Sequence, residues 1–191
     1  MRAFFTSDLH LGHDKEFVWS KRGFKSVEEH DSFILNYWAS TVTHDDIMVL
    51  VGDFVMGRNK VERAFEIIEK MPFRHLLWVC GNHDHPIHKM WQHIDTTTRS
   101  IVVRDMDRWM TFGDILVSHF PPEMIGEHTE DRYRDYSKVA PKLTDSDKFV
   151  HGHTHSDKFV TQVGDKKLIH VGWDAHNGFV ELIDNDFVSP Q

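Results

Sequence analysis

The residues VCGNHDH, Val79 to His85, join an apolar run to an amide, two imidazoles and a carboxylate. The apolar run begins upstream at HLLW and has the length and composition of a buried strand. Protein interiors reject polar groups of this kind unless each one has a partner. The sequence therefore predicts a buried strand whose carboxyl end delivers Asn82, His83 and Asp84 to a binding site.

Four other apolar runs also end in polar side chains that can bind a metal or a phosphate. An Asp-x-His pair taken alone is a weak signal, because it also occurs by chance in many chains. In open α/β sheets, however, ligands bind beyond the carboxyl ends of the strands, so ends that are distant in sequence can converge. We therefore predict one site built from five strand ends. The four further runs are FFTSDLH with Asp8 and His10, MVLVGD with Asp53, ILVSHF with His119, and KFVHGHTH with His153 and His155.

The chain between these ends alternates apolar runs with amphipathic patterns, which is typical of an α/β fold. SVEEHDSFILNYWAS predicts a helix with a capping box formed by Ser26 and Glu29. NKVERAFEIIEKM predicts a second helix, capped by Asn59. The second half is richer in strands, with hairpins predicted at its two Gly-Asp pairs, 113–114 and 164–165.

Length and composition limit the classes of protein to consider. The chain has 191 residues, of which 40% are hydrophobic, and no linker-like break, so we expect a single domain over residues 1–191. The net charge of −8 argues against long nucleic acid and anionic membranes as partners. Cys80 is the single cysteine, which excludes an intramolecular disulfide, whereas 16 histidines favour metal binding. Without a signal-peptide pattern or an apolar stretch of about 20 residues, we expect a cytoplasmic protein.

The ordered motifs DLH, GD, GNHD, SH and GHTH resemble those of the calcineurin-like metallophosphoesterase superfamily. The resemblance extends from Asp8 to about Asp174 and, through FTSDLHLGH and VGWD, is closest to the small single-domain branch of bacteria and phages. It implies a four-layer α/β/β/α sandwich with two mixed sheets. Phosphoprotein phosphatases carry GDxHG, GDxVDRG and GNHE, where this chain has SDLHLG, GDFVMG and GNHD. We therefore do not expect a protein Ser/Thr phosphatase.

The same resemblance implies a centre of two metal ions. His83 would face the substrate as the catalytic residue, and Asp84 would orient His83. Imidazole and carboxylate donors without thiolate suit divalent transition metals better than calcium, and we expect manganese first, with iron, zinc, cobalt or nickel as alternatives. The resemblance places Asp8, His10, Asp53 and His155 around one ion, and Asp53, Asn82, His119 and His153 around the other, with Asp53 bridging.

The implied activity is that of a metal-dependent phosphoric ester hydrolase. A metal-bridging hydroxide would attack, in line, a phosphodiester or a phosphomonoester of a small substrate such as a nucleotide or cyclic nucleotide. Two alternatives stay open: a nuclease acting on short or single-stranded nucleic acid, and a non-catalytic scaffold with the same fold. His13 stays open between a phosphate contact and a capping or exposed role. The oligomeric state is not determined by the sequence.

Overall fold

The structure, a computed structural model, describes residues 1–84, 87, 93–95, 99–104, 109–122, 140–142 and 145–190, with the backbone alone for 93–95. Its helices are α1 (Glu16–Trp19), α2 (Val27–Thr41), α3 (Lys60–Lys70) and α4 (Trp173–His176). Its strands are β1 (Ala3–Thr6), β2 (Ile47–Leu50), β3 (His75–Val79), β4 (His93–Asp95), β5 (Ser100–Arg104), β6 (Met110–Phe112), β7 (Ile115–Val117), β8 (Lys148–His151), β9 (Val160–Val163), β10 (Lys166–His170), β11 (Val180–Ile183) and β12 (Asp186–Val188).

The described strands form two sheets. The first has the order β12-β11-β1-β2-β3-β5-β4, and the second has the order β6-β7-β8-β10-β9. Strands β1, β2, β3 and β5 are parallel to one another, and antiparallel strands flank them on both sides. The second sheet likewise has β7, β8 and β10 parallel, with antiparallel β6 and β9 at its edges. The predicted α/β class with two mixed sheets is confirmed.

The first sheet packs against helices on one face and against the second sheet on the other. Alternation along β1 places Phe4 in the core that α2 and α3 cover and Phe5 in the core between the sheets. The helix side also buries Trp38 and Trp78, and the inter-sheet core joins Val49 to Val150 and other apolar residues. The described residues thus form three layers, which are the helices, the first sheet and the second sheet.

The outer face of the second sheet carries a small apolar cluster of its own. Leu116, Phe149 and Leu168 are buried there. The fourth, helical layer that the resemblance implies is not seen against this face among the described residues. For the polar segment 121–147 the sequence predicts a loop or a short helix, and most of this segment lies outside the described ranges.

The two predicted helix starts have different outcomes. Ser26 caps α2 by accepting a hydrogen bond from the Glu29 amide at 3.2 Å, as predicted. The Glu29 carboxylate accepts from the amide of Lys25 at 2.7 Å, one residue before the position expected in a capping box. Asn59 precedes α3, but its side chain makes no capping hydrogen bond, because its backbone (φ −104°, ψ 38°) is not extended. The predicted capping role of Asn59 was wrong.

The two predicted hairpins are confirmed. Phe112 pairs with Ile115, and Val163 with Lys166, across Gly-Asp turns whose glycines both have a φ of 62°.

Among the described residues, no helix is long and apolar enough to cross a membrane.

The two sheets bring their parallel carboxyl ends together at one edge of the molecule. Ser7, which follows β1, donates its amide to the carbonyl of Val171, which follows β10, at 3.0 Å. The Ser7 carbonyl accepts a hydrogen bond from the amide of Trp173 at 3.0 Å, and Ser7 forms an isolated parallel β-bridge with Gly172. This link holds the end of β1 in the first sheet beside the end of β10 in the second. Strands β2, β3, β7 and β8 lie parallel to these two and end on the same side.

Candidate metal centre

The seven predicted ligands meet at this edge, and we refer to them as the ligand cluster. Asp8 and His10 follow β1, Asp53 follows β2, Asn82 follows β3, His119 follows β7, and His153 and His155 follow β8. The cluster contains two groups of three residues, and within each group the ligand atoms all lie within 4.8 Å of one another. The first group is Asp8, His10 and His155, and the second is Asp8, Asp53 and His119. The structure thus brings together all the side chains that the sequence assigned to metal, and their binding of metal stays a prediction.

The first group is formed by Asp8, His10 and His155. The Nε2 atoms of the two histidines lie 3.4 Å apart, and their rings are stacked with centroids at 5.2 Å. Asp8 Oδ1 lies 4.0 Å from His10 Nε2 and 3.8 Å from His155 Nε2. Ligand atoms that each stand about 2 Å from a common ion have separations of this size.

His119 of the second group also has Asn82 and His153 as neighbours. Its Nε2 lies 3.2 Å from Asn82 Oδ1, 3.3 Å from His153 Nδ1 and 3.6 Å from Asp53 Oδ2. Asp53 Oδ2 also lies 3.9 Å from His10 Nε2, which belongs to the first group. Asp53 therefore faces both groups, as a bridging carboxylate must.

The surroundings of the two Asp8 carboxylate oxygens indicate whether a cation fits the ligand cluster. Its Oδ2 accepts hydrogen bonds from Ser7 Oγ at 2.5 Å and from the amide of His153 at 2.9 Å. Its Oδ1 is buried and accepts no hydrogen bond from the described residues. A buried carboxylate oxygen without a partner is costly, and this one points at two imidazole nitrogens that are themselves good ligands. A divalent cation between them would satisfy all three atoms.

The backbone of the ligand cluster is strained. A positive φ costs about 1–3 kcal/mol at a residue other than glycine and persists where function requires it. Five of the eight described non-glycine residues with a positive φ belong to the ligand cluster. They are Asp8 (φ 55°), His10 (51°), Asp53 (54°), His153 (68°) and His155 (50°). The folded chain holds these side chains in position for binding at a cost to its own stability.

Two motif glycines permit the close approach of the strand ends. A Cβ atom on Gly81 would lie 2.1 Å from Asp53 Oδ1, and one on Gly152 would lie 2.5 Å from Asp8 Oδ2. Neither glycine has a positive φ. The chain does turn tightly after each of them, because the Asp84 amide donates to the Gly81 carbonyl at 3.1 Å and the Thr154 amide donates to the Gly152 carbonyl at 2.8 Å. What requires glycine at the two positions is the absence of a side chain against the two carboxylates.

Asp84 supports the cluster in a way that differs from the prediction. Its buried carboxylate accepts from the amides of Asp53 at 2.7 Å, Phe54 at 3.1 Å and Gly81 at 2.9 Å, and from the indole of Trp78 at 3.3 Å. These bonds tie the end of β2 to the end of β3. Asp84 therefore positions the Asp53 backbone, and the predicted orientation of the His83 ring by Asp84 was wrong.

His83 lies at the open side of the ligand cluster. Its side chain is 43% exposed, and its Nε2 lies 3.9 Å from Asp53 Oδ2. Burial, together with the positive charges of His119 and Lys60, lowers the pKa of His83 to about 4. Its backbone is anchored at both ends, because its amide donates to Asp53 Oδ1 at 2.9 Å and its carbonyl accepts from Lys60 Nζ. With its lowered pKa the ring is uncharged near neutral pH, and its role toward a substrate stays a prediction.

Comparison with known proteins places the chain in a family. No family model matches it. The Gene 66 protein of Mycobacterium phage L5 is 36% identical to it over 189 residues, which cover 91% of this chain and 86% of the relative. The chain belongs to the gene 66 protein family.

Solved structures share the fold of this gene 66 family member. A protein of unknown function from Aquifex aeolicus superposes with a TM-score of 0.65 at 20% identity, over 94% of this chain and 95% of that chain. The phosphopantetheinyl hydrolase PptH of Mycobacterium tuberculosis superposes with a TM-score of 0.54 at 12% identity, over 100% and 98%. At these identities the likeness shows a common fold.

A partly buried ion pair between Arg22 and Asp174 supports the site of this gene 66 family member and was not predicted from the sequence. The Arg22 side chain donates to Asp174 at 2.7 and 3.0 Å, to the carbonyl of Asp8 at 2.7 Å and to the carbonyl of Leu9 at 3.0 Å. Asp174 in turn accepts from His155 Nδ1 at 2.6 Å, which leaves Nε2 free to face Asp8. Asp174 stands in the VGWD motif, but no spacing in the sequence marks Arg22.

Asp174→Asn is expected to weaken metal binding at the first group of ligands. The carboxylate fixes the His155 ring, and loss of such a contact typically reduces metal affinity by about 10- to 100-fold. Titration calorimetry with Mn²⁺ should show one weakened site and one unchanged site. Asp184→Asn is the control, because Asp184 is exposed in the turn between β11 and β12.

Since Asp174→Asn also removes the ion pair with Arg22, thermal unfolding is measured in parallel. Two sites of wild-type affinity in the variant would show that the contact between Asp174 and His155 plays no part in metal binding.

The two carboxylates of this gene 66 site repel each other. Burial, followed by the nearby charge of Asp8, raises the pKa of Asp53 to about 8. Burial also acts to raise the pKa of Asp8, but His155, His119, His10 and the Ser7 hydroxyl together hold it below its usual range. Near neutral pH the metal-free pair therefore retains a proton on Asp53, which a bound metal ion must displace.

The metal-free protein is expected to lose stability as the pH rises through this range. An aspartate titrates near 4 when unfolded, roughly, so between about pH 4 and 8 the folded state binds more protons than the unfolded state. The contribution of Asp53 is therefore fully present below pH 4 and lost as the pH rises to about 8. Chemical unfolding at several pH values should show this slope in metal-free wild type and not in Asp53→Asn. Equal slopes in the two proteins would contradict the assignment.

Proposed function

We propose that the chain is a dinuclear metal-dependent phosphoesterase of the calcineurin-like metallophosphoesterase superfamily. It would hydrolyse phosphodiester bonds, or phosphomonoester bonds, of a small substrate such as a nucleotide or cyclic nucleotide. The observation that carries the proposal is the convergence of five strand ends from two sheets on one ligand cluster, with Asp8 Oδ1 buried and without a hydrogen bond among the described residues. Manganese is the metal that we expect there.

The donor set fits two divalent ions and the chemistry they supply. Two such ions polarise phosphoryl oxygens and lower the pKa of bound water from about 15.7 to near 7. The side chains of the chain have separate roles around them. Asp53 holds the two halves of the ligand cluster together, while Asp84 and the pair Arg22 and Asp174 hold the ligands in place.

His83 is the residue that we propose to act directly on the substrate. It borders the cavity beside the ligand cluster and is more exposed than the buried ligands Asp8, Asp53 and His119. A neutral imidazole N–H would donate a hydrogen bond to the oxygen of the leaving group as negative charge develops there.

The fold and the full set of predicted site residues support the same class of activity. The helix, sheet and sheet arrangement agrees with three layers of the sandwich that the superfamily resemblance implies, and PptH, whose fold is similar, is a phosphopantetheinyl hydrolase. All seven predicted ligands and His83 lie together at one edge of the molecule, which argues against a non-catalytic scaffold.

The proposal is tested with protein stripped of metal by a chelator and then supplied with Mn²⁺. We expect restored hydrolysis of bis-p-nitrophenyl phosphate, and we compare it with p-nitrophenyl phosphate and a single-stranded oligonucleotide. Faster cleavage of the oligonucleotide would favour the nuclease alternative. No hydrolysis of any of the three by the metal-loaded protein would contradict the proposal.

A further inference from the structure

A cavity of about 690 Å³ opens directly beside the ligand cluster. Its lining includes His10, His83 and His155. It also includes residues to which no part in metal binding is assigned, among them Phe17 of α1 and Lys21. A substrate whose phosphate reaches the metal ions must therefore place the rest of its structure against these residues.

An aromatic row leads from the ligand cluster into this cavity. The His13 ring lies edge to face with His10 at 5.8 Å between centroids, and Phe17 lies edge to face with His13, also at 5.8 Å. Phe17 is 62% exposed, although it borders a cavity where an apolar ring could be covered. His13 Nδ1 accepts from the amide of Lys15 at 3.2 Å, so a neutral ring carries its proton on Nε2.

The polar groups of the cavity wall have capacity for a ligand. Lys21 makes no hydrogen bond or ion pair with any residue that the structure describes, whereas the neighbouring Arg22 is engaged by Asp174 and two carbonyls. Asn177, exposed on the wall with a φ of 51°, offers an amide that can both donate and accept. The wall therefore combines ring surface, the amide of Asn177 and, in Lys21, a cation that is not engaged as Arg22 is.

We propose that this cavity binds the nucleoside part of a nucleotide ester, with the base stacked on the Phe17 ring and its edge toward the His13 ring, which lies at 69° to Phe17. The inference rests on the proposed phosphoesterase function and names its substrate class. Base rings stack on aromatic side chains whatever their identity, and amide groups hydrogen-bond to base edges. Lys21 contacts the sugar or a further phosphate. A flexible aliphatic ester would gain little from the two rings.

Two esters with the same leaving group test this inference. Thymidine 5′-(p-nitrophenyl phosphate) and methyl p-nitrophenyl phosphate both release p-nitrophenolate, and they differ in the presence of the nucleoside. Stacking on one side chain predicts that wild type prefers the thymidine ester by about tenfold in kcat/KM. In Phe17→Ala this ratio should approach one through a higher KM for the thymidine ester.

Phe33→Ala is the matched control. Phe33 is also a partly exposed phenylalanine (49%), but it lies on α2 and does not line the cavity, so the wild-type ratio should be retained. A second readout does not depend on turnover. Calorimetry on Mn²⁺-loaded protein should show tighter binding of thymidine 5′-monophosphate than of inorganic phosphate in wild type and in Phe33→Ala, and not in Phe17→Ala.

The outcomes separate the two proposals. Equal turnover of both esters by wild type and Phe17→Ala would overturn the nucleoside inference and leave the phosphoesterase function standing. Hydrolysis by metal-loaded wild type of neither of these esters, nor of the monoester p-nitrophenyl phosphate, would overturn both.

Discussion

Asp53→Asn is expected to reduce the metal content from two ions per chain to one or none and to abolish turnover. Asp53 Oδ2 lies 3.6 Å from His119 Nε2 and 3.9 Å from His10 Nε2, so its charge serves both groups of ligands. An asparagine side chain has nearly the same volume as the aspartate that it replaces but carries no charge. Lewis-acid stabilisation is worth several kcal/mol, which corresponds to a loss of about 10³-fold or more in kcat.

The measurement is elemental analysis of the purified variant together with its kcat on a phosphodiester. Asp45→Asn is the control, because Asp45 is exposed in the turn that precedes β2, whereas Asp53 follows the same strand. Two tightly bound ions with wild-type turnover in Asp53→Asn would refute the bridging role.

His83→Ala is expected to keep two metal ions and lose most of the activity. The His83 side chain is 43% exposed and borders the cavity, and its hydrogen bond to Asp53 is made by the backbone amide, which alanine keeps. Loss of a positioned proton donor typically lowers kcat by about 10²- to 10⁴-fold. Rate measurements on matched esters should show the largest loss for the poorest leaving group, because that oxygen most needs a donor.

The control for His83→Ala is His44→Ala, which removes an exposed histidine from the turn before β2. His44→Ala should match wild type in both metal content and rate. Unchanged turnover of His83→Ala with a full complement of metal would remove His83 from the mechanism.

The ligand cluster could be predicted from the sequence because it follows from local rules. Apolar runs mark buried strands, and polar residues directly after parallel strands collect at one edge of a sheet. The positions of Asp8, Asp53 and His119 therefore needed no knowledge of side-chain contacts. Pairing at the two Gly-Asp hairpins was predictable for the same reason, because turn chemistry is local.

The support around the cluster depends on contacts between distant segments. Arg22 reaches Asp174 across 152 residues, and no local pattern marks such a pair. Asp84 could equally have bonded to the adjacent His83, and only the folded chain brings it to the amides of Asp53 and Phe54. Positive φ values at the ligands are equally hidden, because the residues themselves are not glycines.

The proposed function requires that the ligand cluster hold two catalytic metal ions. The most direct test is elemental analysis of the purified protein, combined with a diesterase assay before chelation, after chelation and after Mn²⁺ is returned. About two ions per chain, with activity that chelation removes and Mn²⁺ restores, is the predicted result. Protein that binds no metal ion and gains no activity when Mn²⁺ is supplied would contradict the claim and favour a non-catalytic scaffold.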